Sequence, residues 1–221
     1  MKNILGENDR FAAENKAMFQ KAGVFVLDLM GSPGAGKTSL LEKTMEMLKG
    51  ELRMAVIEGD LFTSRDAERI DKHGVPVIQI NTAGGCHLDA NMIQRTAASM
   101  ALSSLDLLII ENVGNLVCPA EFALGEDARA VAISVTEGDD KPMKYPLMFK
   151  QSDIALINKI DLAPYCNFDL QRAAEDIEML HPGIEVLKVS CTRGDGLSSF
   201  ADWLRRKVKE KKEQSHAGTD I

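Results

Sequence analysis

Residues 24–38 read VFVLDLMGSPGAGKT, and the two halves of that stretch decide the fold. The first half, 24–30, is a nearly continuous apolar run, the pattern of a strand buried on both faces of a parallel sheet. The second half, Gly31-Ser32-Pro33-Gly34-Ala35-Gly36-Lys37-Thr38, fits G-x-x-x-x-G-K-[ST]. It follows a predicted strand and opens a predicted helix, the context that motif requires. Glycines let backbone N–H groups curl around phosphate oxygens with no Cβ in the way. The helix opening near Lys37 aims its positive dipole end at the same phosphates. Lys37 adds a full charge for the β- and γ-phosphates, which makes it a candidate catalytic group, and the Thr38 hydroxyl is a candidate Mg²⁺ ligand. The candidate phosphate cradle runs from Gly31 through Ser39.

Outward from this stretch the chain keeps alternating. Strands are predicted at 54–58, 77–80, 107–111, 131–135, 154–158 and 185–190, and helices at 37–49, 64–73, 88–103, 168–180 and 197–211. The expectation is an α/β fold of the P-loop NTPase type, with a mostly parallel central sheet of about seven strands and helices on both faces. One domain over 1–221 suffices, since the chain shows neither a repeat nor an interdomain linker. A leading amphipathic helix at about 7–21 carries Phe11, Ala12, Met18 and Phe19 and ends before Gly23. The polar tail, about 212–221, is expected to fray.

Composition narrows the function classes. The chain is 45% hydrophobic and 27% charged, an ordinary globular balance, and its net charge of -7 argues against a nucleic-acid or anionic-membrane partner. No apolar run approaches the roughly 20 residues that span a bilayer. The first ten residues are polar and lack a signal-peptide core, so the expected location is cytoplasmic. The 4 cysteines then read as reduced thiols or metal ligands rather than a disulfide framework.

The nucleotide's base is addressed by Asn158-Lys159-Ile160-Asp161, an N-K-x-D sequence at the end of a predicted strand. The Asp161 carboxylate can accept from guanine N1–H and the 2-amino group; adenine offers neither donor and would leave a buried acceptor unpaired. Lys159 would lie over the base, and Asn158 would tie this loop to the phosphate loop. Ser190, Cys191 and Thr192, after the last predicted strand, are candidates for a second base-contacting loop. A polar strand end followed by a turn is the plainer reading of NKID, and the phosphate loop upstream argues against it.

Two acidic strand ends are candidates for the magnesium shell, because the carboxyl ends of strands line the ligand crevice of an open α/β sheet. They are Asp60, in Glu58-Gly59-Asp60, and Glu111, in Glu111-Asn112-Val113-Gly114. The latter has the form of a D-x-x-G switch with Glu in the Asp position, in which Gly114 offers its N–H to the γ-phosphate. Asp60 is also a candidate for activating the attacking water, for which no glutamine stands out. Solvated acidic caps are the alternative for both carboxylates.

Cys86, His87 and Cys118 bring soft ligands suited to Zn²⁺ or Ni²⁺. Cys86 and His87 fall at the start of the predicted 88–103 helix, a placement that favours a thiolate. Bare spacing is a weak signal and is better served by small buried thiols and an ordinary histidine. Three ligands also leave a tetrahedral site one short, to be completed by a second subunit or water. Cys166 and Cys191 read as structural thiols.

The blocks GSPGAGKT, EGD, NTAGGCHLDA, ENVGNLVCPA, EGDDKP and NKID together resemble the hydrogenase nickel-incorporation GTPases, the hydrogenase maturation factor B family, from about Gly23 to Trp203. Related urease accessory GTPases carry a Cys-Pro-His arrangement that this chain lacks. The resemblance implies slow hydrolysis of GTP to GDP and phosphate, in a protein that helps insert nickel into [NiFe]-hydrogenase. It implies a homodimer in the GTP-bound state, with the Cys86, His87 and Cys118 site for Ni²⁺ or Zn²⁺ at the dimer interface. It also implies a zinc- and nickel-binding hydrogenase accessory protein and the hydrogenase large subunit as partners. Residues 1–23 contain neither Cys nor His, so nickel is expected to pass through the Cys86/His87/Cys118 site alone. A chaperone GTPase for urease or a cobalamin enzyme, and a P-loop small-molecule kinase, are the competing readings. Because Cys118 follows Glu111 and Gly114 on one short segment, loss of the γ-phosphate is expected to move the metal site.

Overall fold

The computed structural model describes residues 2–60, 69–82 and 84–217. Helix α1 (Lys2–Ala22) ends at Gly23, whose φ of 69° turns the chain into β1 (Phe25–Gly31). Then follow α2 (Lys37–Leu48), β2 (Met54–Asp60), β3 (Val77–Asn81), α3 (Ala90–Ala97), β4 (Leu107–Glu111) and β5 (Ala128–Ser134). Two short helices, α4 (Lys141–Lys144) and α5 (Pro146–Lys150), precede β6 (Ile154–Asn158), α6 (Leu170–Leu180), β7 (Glu185–Lys188) and α7 (Leu197–Ala217).

The strands form one sheet in the order β3-β2-β4-β1-β5-β6-β7, and each of these pairings is parallel. The apolar run that opens the sequence explains why. Every residue of β1 is buried. Phe25, Leu27 and Leu29 face one cluster with Leu40, Leu41 and Met45 of α2 and Phe200, Trp203 and Leu204 of α7. Val24 and Val26 face the other side with Phe19 of α1 and Ile93 and Ala97 of α3, while Met30 meets Met148 and Phe149 of α5 and Ile177 of α6. Side chains alternate across a strand, so a centre strand covered by helices on both faces is apolar on both sides, here with the single exception of Asp28. Strand β1 is also where the order reverses, with β4, β2 and β3 on one side and β5 to β7 on the other. Connections there leave toward opposite faces and open a crevice at the carboxyl ends of the strands.

Several predicted boundaries shift for identifiable reasons. The predicted 88–103 helix begins only at Ala90, because Asp89 caps it by accepting from Met92 N–H at 2.8 Å. It ends at Ala97, and a separate 3₁₀ turn, Leu102–Ser104, follows. Strand β7 stops at Lys188 rather than 190. The leading helix begins at Lys2 rather than about 7. Residues 64–68 of the predicted 64–73 helix lie outside the described residues; 69–71 are helical.

Within the tail expected to fray from about 212, residues 212–217 continue α7, which ends at Ala217. Its polar residues have work on the sheet's amino-terminal edge. Lys211 pairs with Asp127 at 2.6 Å and Lys212 with Asp106 at 2.8 Å. Residues 218–221 lie outside the described residues. Among the described residues no helix is long and apolar enough to cross a membrane.

Candidate functional site

The phosphate cradle leaves the carboxyl end of β1 at the switch point. Gly36 caps α2 at φ 90°, and a Cβ there would stand 2.5 Å from Asn158 Nδ2, so no other residue fits. That closeness is the predicted tie between the loops. Asn158 Nδ2 donates to Ala35 O at 2.8 Å, and Lys159 Nζ donates to Gly34 O at 2.7 Å. Lys159 itself is left-handed at φ 61°, which lets the chain turn at once beneath the cradle. Ser190 donates its hydroxyl to Asp161 Oδ1 at 2.5 Å, and Cys191 Sγ lies 3.6 Å from Asn158 Oδ1. The two candidate base loops are therefore side by side, with Thr192 exposed in the turn beyond.

A cavity of about 470 Å³ lies over the cradle, lined by Pro33, Gly34, Gly36 and the candidate residues Lys37, Thr38, Ser39, Asp60, Glu111, Gly114 and Lys159. Thr38 donates to Glu111 Oε1 at 2.9 Å, so a hydroxyl and a carboxylate from separate elements converge. Hydroxyl and carboxylate oxygens are the donor set a hard Mg²⁺ ion takes. Gly114 is pressed on the phosphate loop: a Cβ there would be 2.9 Å from Pro33 Cα. Beside it, Asn115 N–H donates to Gly31 O at 2.9 Å.

Three lining or flanking groups escaped the sequence reading. Glu58, buried, is the register partner of Glu111 on adjacent parallel strands and so shares its face. Only strand register reveals this, since Glu58 and Asp60 read alike along the chain. Arg69 lines the same cavity and donates to Ser39 Oγ at 3.0 Å and to Glu42 Oε2 at 2.6 Å. Glu137 accepts from the Ser32 hydroxyl; burial pushes its carboxyl up, while Ser32, Lys141 and Lys159 pull it down.

Four residues along the chain from Gly114, at Cys118, the soft ligands meet. The ligand atoms of Cys86, His87 and Cys118 all lie within 4.8 Å of one another. The two free thiols are 3.0 Å apart, and Cys86 Sγ is 3.5 Å from His87 Nδ1. The His87 ring stacks on Phe122, with centroids 3.9 Å apart. Burial lowers the His87 pKa against the pull of Asp89 and Glu121, a shift toward the neutral imidazole that a metal ion takes. The Cys118 pKa is raised, chiefly by its hydrogen bond with Cys86 and then by desolvation. Two thiols this close cannot both ionise cheaply unless a cation lies between them. Because Asp89 caps α3, Cys86 and His87 precede the helix rather than sit in its first turn, and the dipole argument for a Cys86 thiolate does not apply.

The cradle and the base loop docked on it define the class: a P-loop nucleotide-binding protein. The particular family follows from comparison. The chain belongs to the CobW/HypB/UreG family, whose nucleotide-binding domain matches residues 25–188. It is 50% identical over 204 residues to hydrogenase maturation factor HypB of Azotobacter vinelandii, an alignment covering 92% of this chain and 67% of that one. Its structure superposes on HypB from Archaeoglobus fulgidus with a TM-score of 0.87 at 37% identity, covering 92% and 99% of the two chains. HypB from Helicobacter pylori in complex with nickel gives a TM-score of 0.86 at 42% identity, covering 92% and 96%.

Proposed function

We propose that this chain is a GTP-hydrolysing metallochaperone that helps insert nickel into [NiFe]-hydrogenase, with a Ni/Zn site gated by the nucleotide. The observation that carries the reading is one short segment serving both sites. It starts at Glu111, which accepts from Thr38, passes Gly114 against Pro33, and ends at Cys118, 3.0 Å from Cys86. A nickel complex of the Helicobacter pylori relative supports the choice of metal.

In this reading backbone N–H groups of Gly31 to Ser39 hold the phosphates, and Lys37 neutralises the charge that develops between the β- and γ-phosphates. Thr38, Asp60 and Glu111 hold Mg²⁺, which supplies further charge neutralisation when bound. Gly114 N–H meets the γ-phosphate, and Asp60 orients the attacking water. Asp161 accepts from guanine, Lys159 covers the base, and Ser190 to Thr192 close its far edge. Cys86, His87 and Cys118 hold Ni²⁺ or Zn²⁺. GTP-bound chains pair as homodimers, and the second subunit completes the coordination. The metal passes between a zinc- and nickel-binding hydrogenase accessory protein and the hydrogenase large subunit, in the cytoplasm.

Base specificity tests the nucleotide half. GTP hydrolysis and nucleotide affinity are measured for wild type and Asp161→Asn. The amide turns an acceptor into a donor opposite two guanine donors, so GTP affinity falls about a hundredfold, two charged hydrogen bonds being worth roughly 3 kcal/mol together. Xanthosine triphosphate, which presents a carbonyl in place of the 2-amino group, gains. Equal binding of GTP and ATP by wild type, or an unchanged preference in the variant, contradicts the guanine reading.

A further inference from the structure

The ligand set sits on two stretches of chain, 86–90 and 112–124, and asparagine side chains tie one to the other. Asn115 Nδ2 donates to Cys86 O at 3.2 Å while its Oδ1 accepts from Val117 N–H at 2.8 Å. Asn112 Oδ1 accepts from Leu88 N–H at 3.1 Å, and its Nδ2 is held by Asp28 Oδ1 at 3.1 Å. Helix α1 supplies two more, about two turns apart on one face. Asn8 Oδ1 accepts from Ala90 N–H and its Nδ2 donates to Ala123 O, both at 2.9 Å. Asn15 Nδ2 donates to Ala90 O at 2.7 Å and to Leu124 O at 2.9 Å.

Asn8, Asn15 and Asn112 are buried. An amide is suited to the task because it both donates and accepts, so one side chain can take an N–H from one stretch and a C=O from the other. A carboxylate only accepts, and it would add charge beside the thiols. Asn15 makes the case most sharply. Both its partners are carbonyl oxygens, which fixes the orientation of the amide, and its Oδ1 is left buried with no partner among the described residues. A buried orphan acceptor is destabilising, and the two ties are what the residue gives in return.

We propose that Asn8, Asn15, Asn112 and Asn115 are positioning residues of the Cys86/His87/Cys118 site, cross-tying its two arms at the spacing where one soft ion reaches all three ligands. The proposal rests on the metal reading above. It gives α1 a role that its amphipathic pattern conceals: the helix is a brace whose polar residues span the arms, in addition to an apolar stripe on the sheet. Ligand preorganisation of this kind lowers the ordering cost of taking up an ion.

The test uses the full chain, with Ni²⁺ and Zn²⁺ titrated at pH 8 into wild type, Asn8→Asp and Asn115→Ala. Asn8→Asp keeps the acceptor for Ala90 N–H and loses only the donor to Ala123 O. Its added carboxylate attracts a cation, so electrostatics alone would strengthen binding. The expected result is instead affinity at least about tenfold weaker in each variant, the scale of loss when outer-shell support of a metal site is removed. The thiolate-to-nickel charge-transfer band weakens in parallel, while affinity for a GTP analogue stays near wild type; Asn8→Asp also unfolds at a lower temperature, because it buries a carboxylate and orphans Ala123 O, so metal affinity is compared well below either unfolding transition. Variants that bind both metals with wild-type affinity and spectrum overturn the proposal. If wild type takes up neither metal, the metal reading itself fails, which separates the two failures.

Discussion

The nucleotide cradle and the thiol cluster are joined by the short segment from Glu111 through Gly114 to Cys118, and they are built by different means. The cradle is made of main chain: the ends of β1, β2, β4 and β6, converging because the parallel sheet sets them in register. The cluster's residues lie outside the strands: Cys86 and His87 in the loop before α3 and Cys118 at the start of a 3₁₀ turn, Cys118–Glu121, and what holds them is an imidazole–phenyl stack and a set of amide ties. A site built on a packed sheet keeps its geometry when one side chain changes, and a site built on side-chain ties does not. This suits their proposed roles, because an ion that must be released is better held by elements that can shift.

Substitutions that separate the two regions sharpen the contrast. The largest effect is expected from Lys37→Ala. Loss of a buried charge opposite the phosphates removes about 2–3 kcal/mol of nucleotide affinity, roughly 30- to 150-fold, measured by titration with a GTP analogue. The same variant without nucleotide should bind Ni²⁺ as wild type does. A parallel loss of nickel binding would break the comparison. Asp161→Asn is the comparable test at the base, and the asparagine variants are its counterpart on the cluster, about an order of magnitude smaller in effect.

The last effect, read in stability and not in binding, concerns Asp28, on β1, whose carboxyl group holds Asn112. Burial pushes its pKa up to about 8, Glu126 adds to the rise, and Arg129 and the Asn112 amide oppose it. The folded chain therefore keeps a proton that the unfolded chain releases above its ordinary value of 3.8. Between these two values the native state binds more protons, so this group makes stability fall as pH rises, by up to about 1.4 kcal/mol per pH unit. Asp28→Asn removes the dependence and keeps an acceptor for Asn112. Urea unfolding from pH 5 to 8 should give a flatter stability profile in the variant; an unchanged slope contradicts the assignment.

The same contrast explains what was legible beforehand. The phosphate loop and NKID are contiguous, and each needs only a strand before it, so periodicity and residue type suffice to find them. Glu58 was missed because its partnership with Glu111 is a matter of register between strands, which no single stretch displays. The start of α3 was misplaced because Leu88 looks helical while Asp89 is a cap. The polar end of α7 read as a fraying tail, since the acids that Lys211 and Lys212 meet, Asp127 and Asp106, lie far away in sequence. Cys86, His87 and Cys118 were recognisable chiefly by resemblance, since bare spacing does not bring 86 and 118 together. Asn8 and Asn15 carried no signal, because polar positions on an amphipathic helix ordinarily face water.

The central claim is that the nucleotide state sets the geometry of the metal cluster through the segment from Glu111 to Cys118. The most direct measurement is calorimetric titration of Ni²⁺ into the GDP form and into the form loaded with a non-hydrolysable GTP analogue, with oligomer mass followed in parallel. Nickel affinity or stoichiometry that differs between the two forms, with the difference abolished by Cys118→Ala, is the predicted result. Equal affinity and stoichiometry in both forms would contradict the account, because a nucleotide can bias only a metal site whose states it binds unequally.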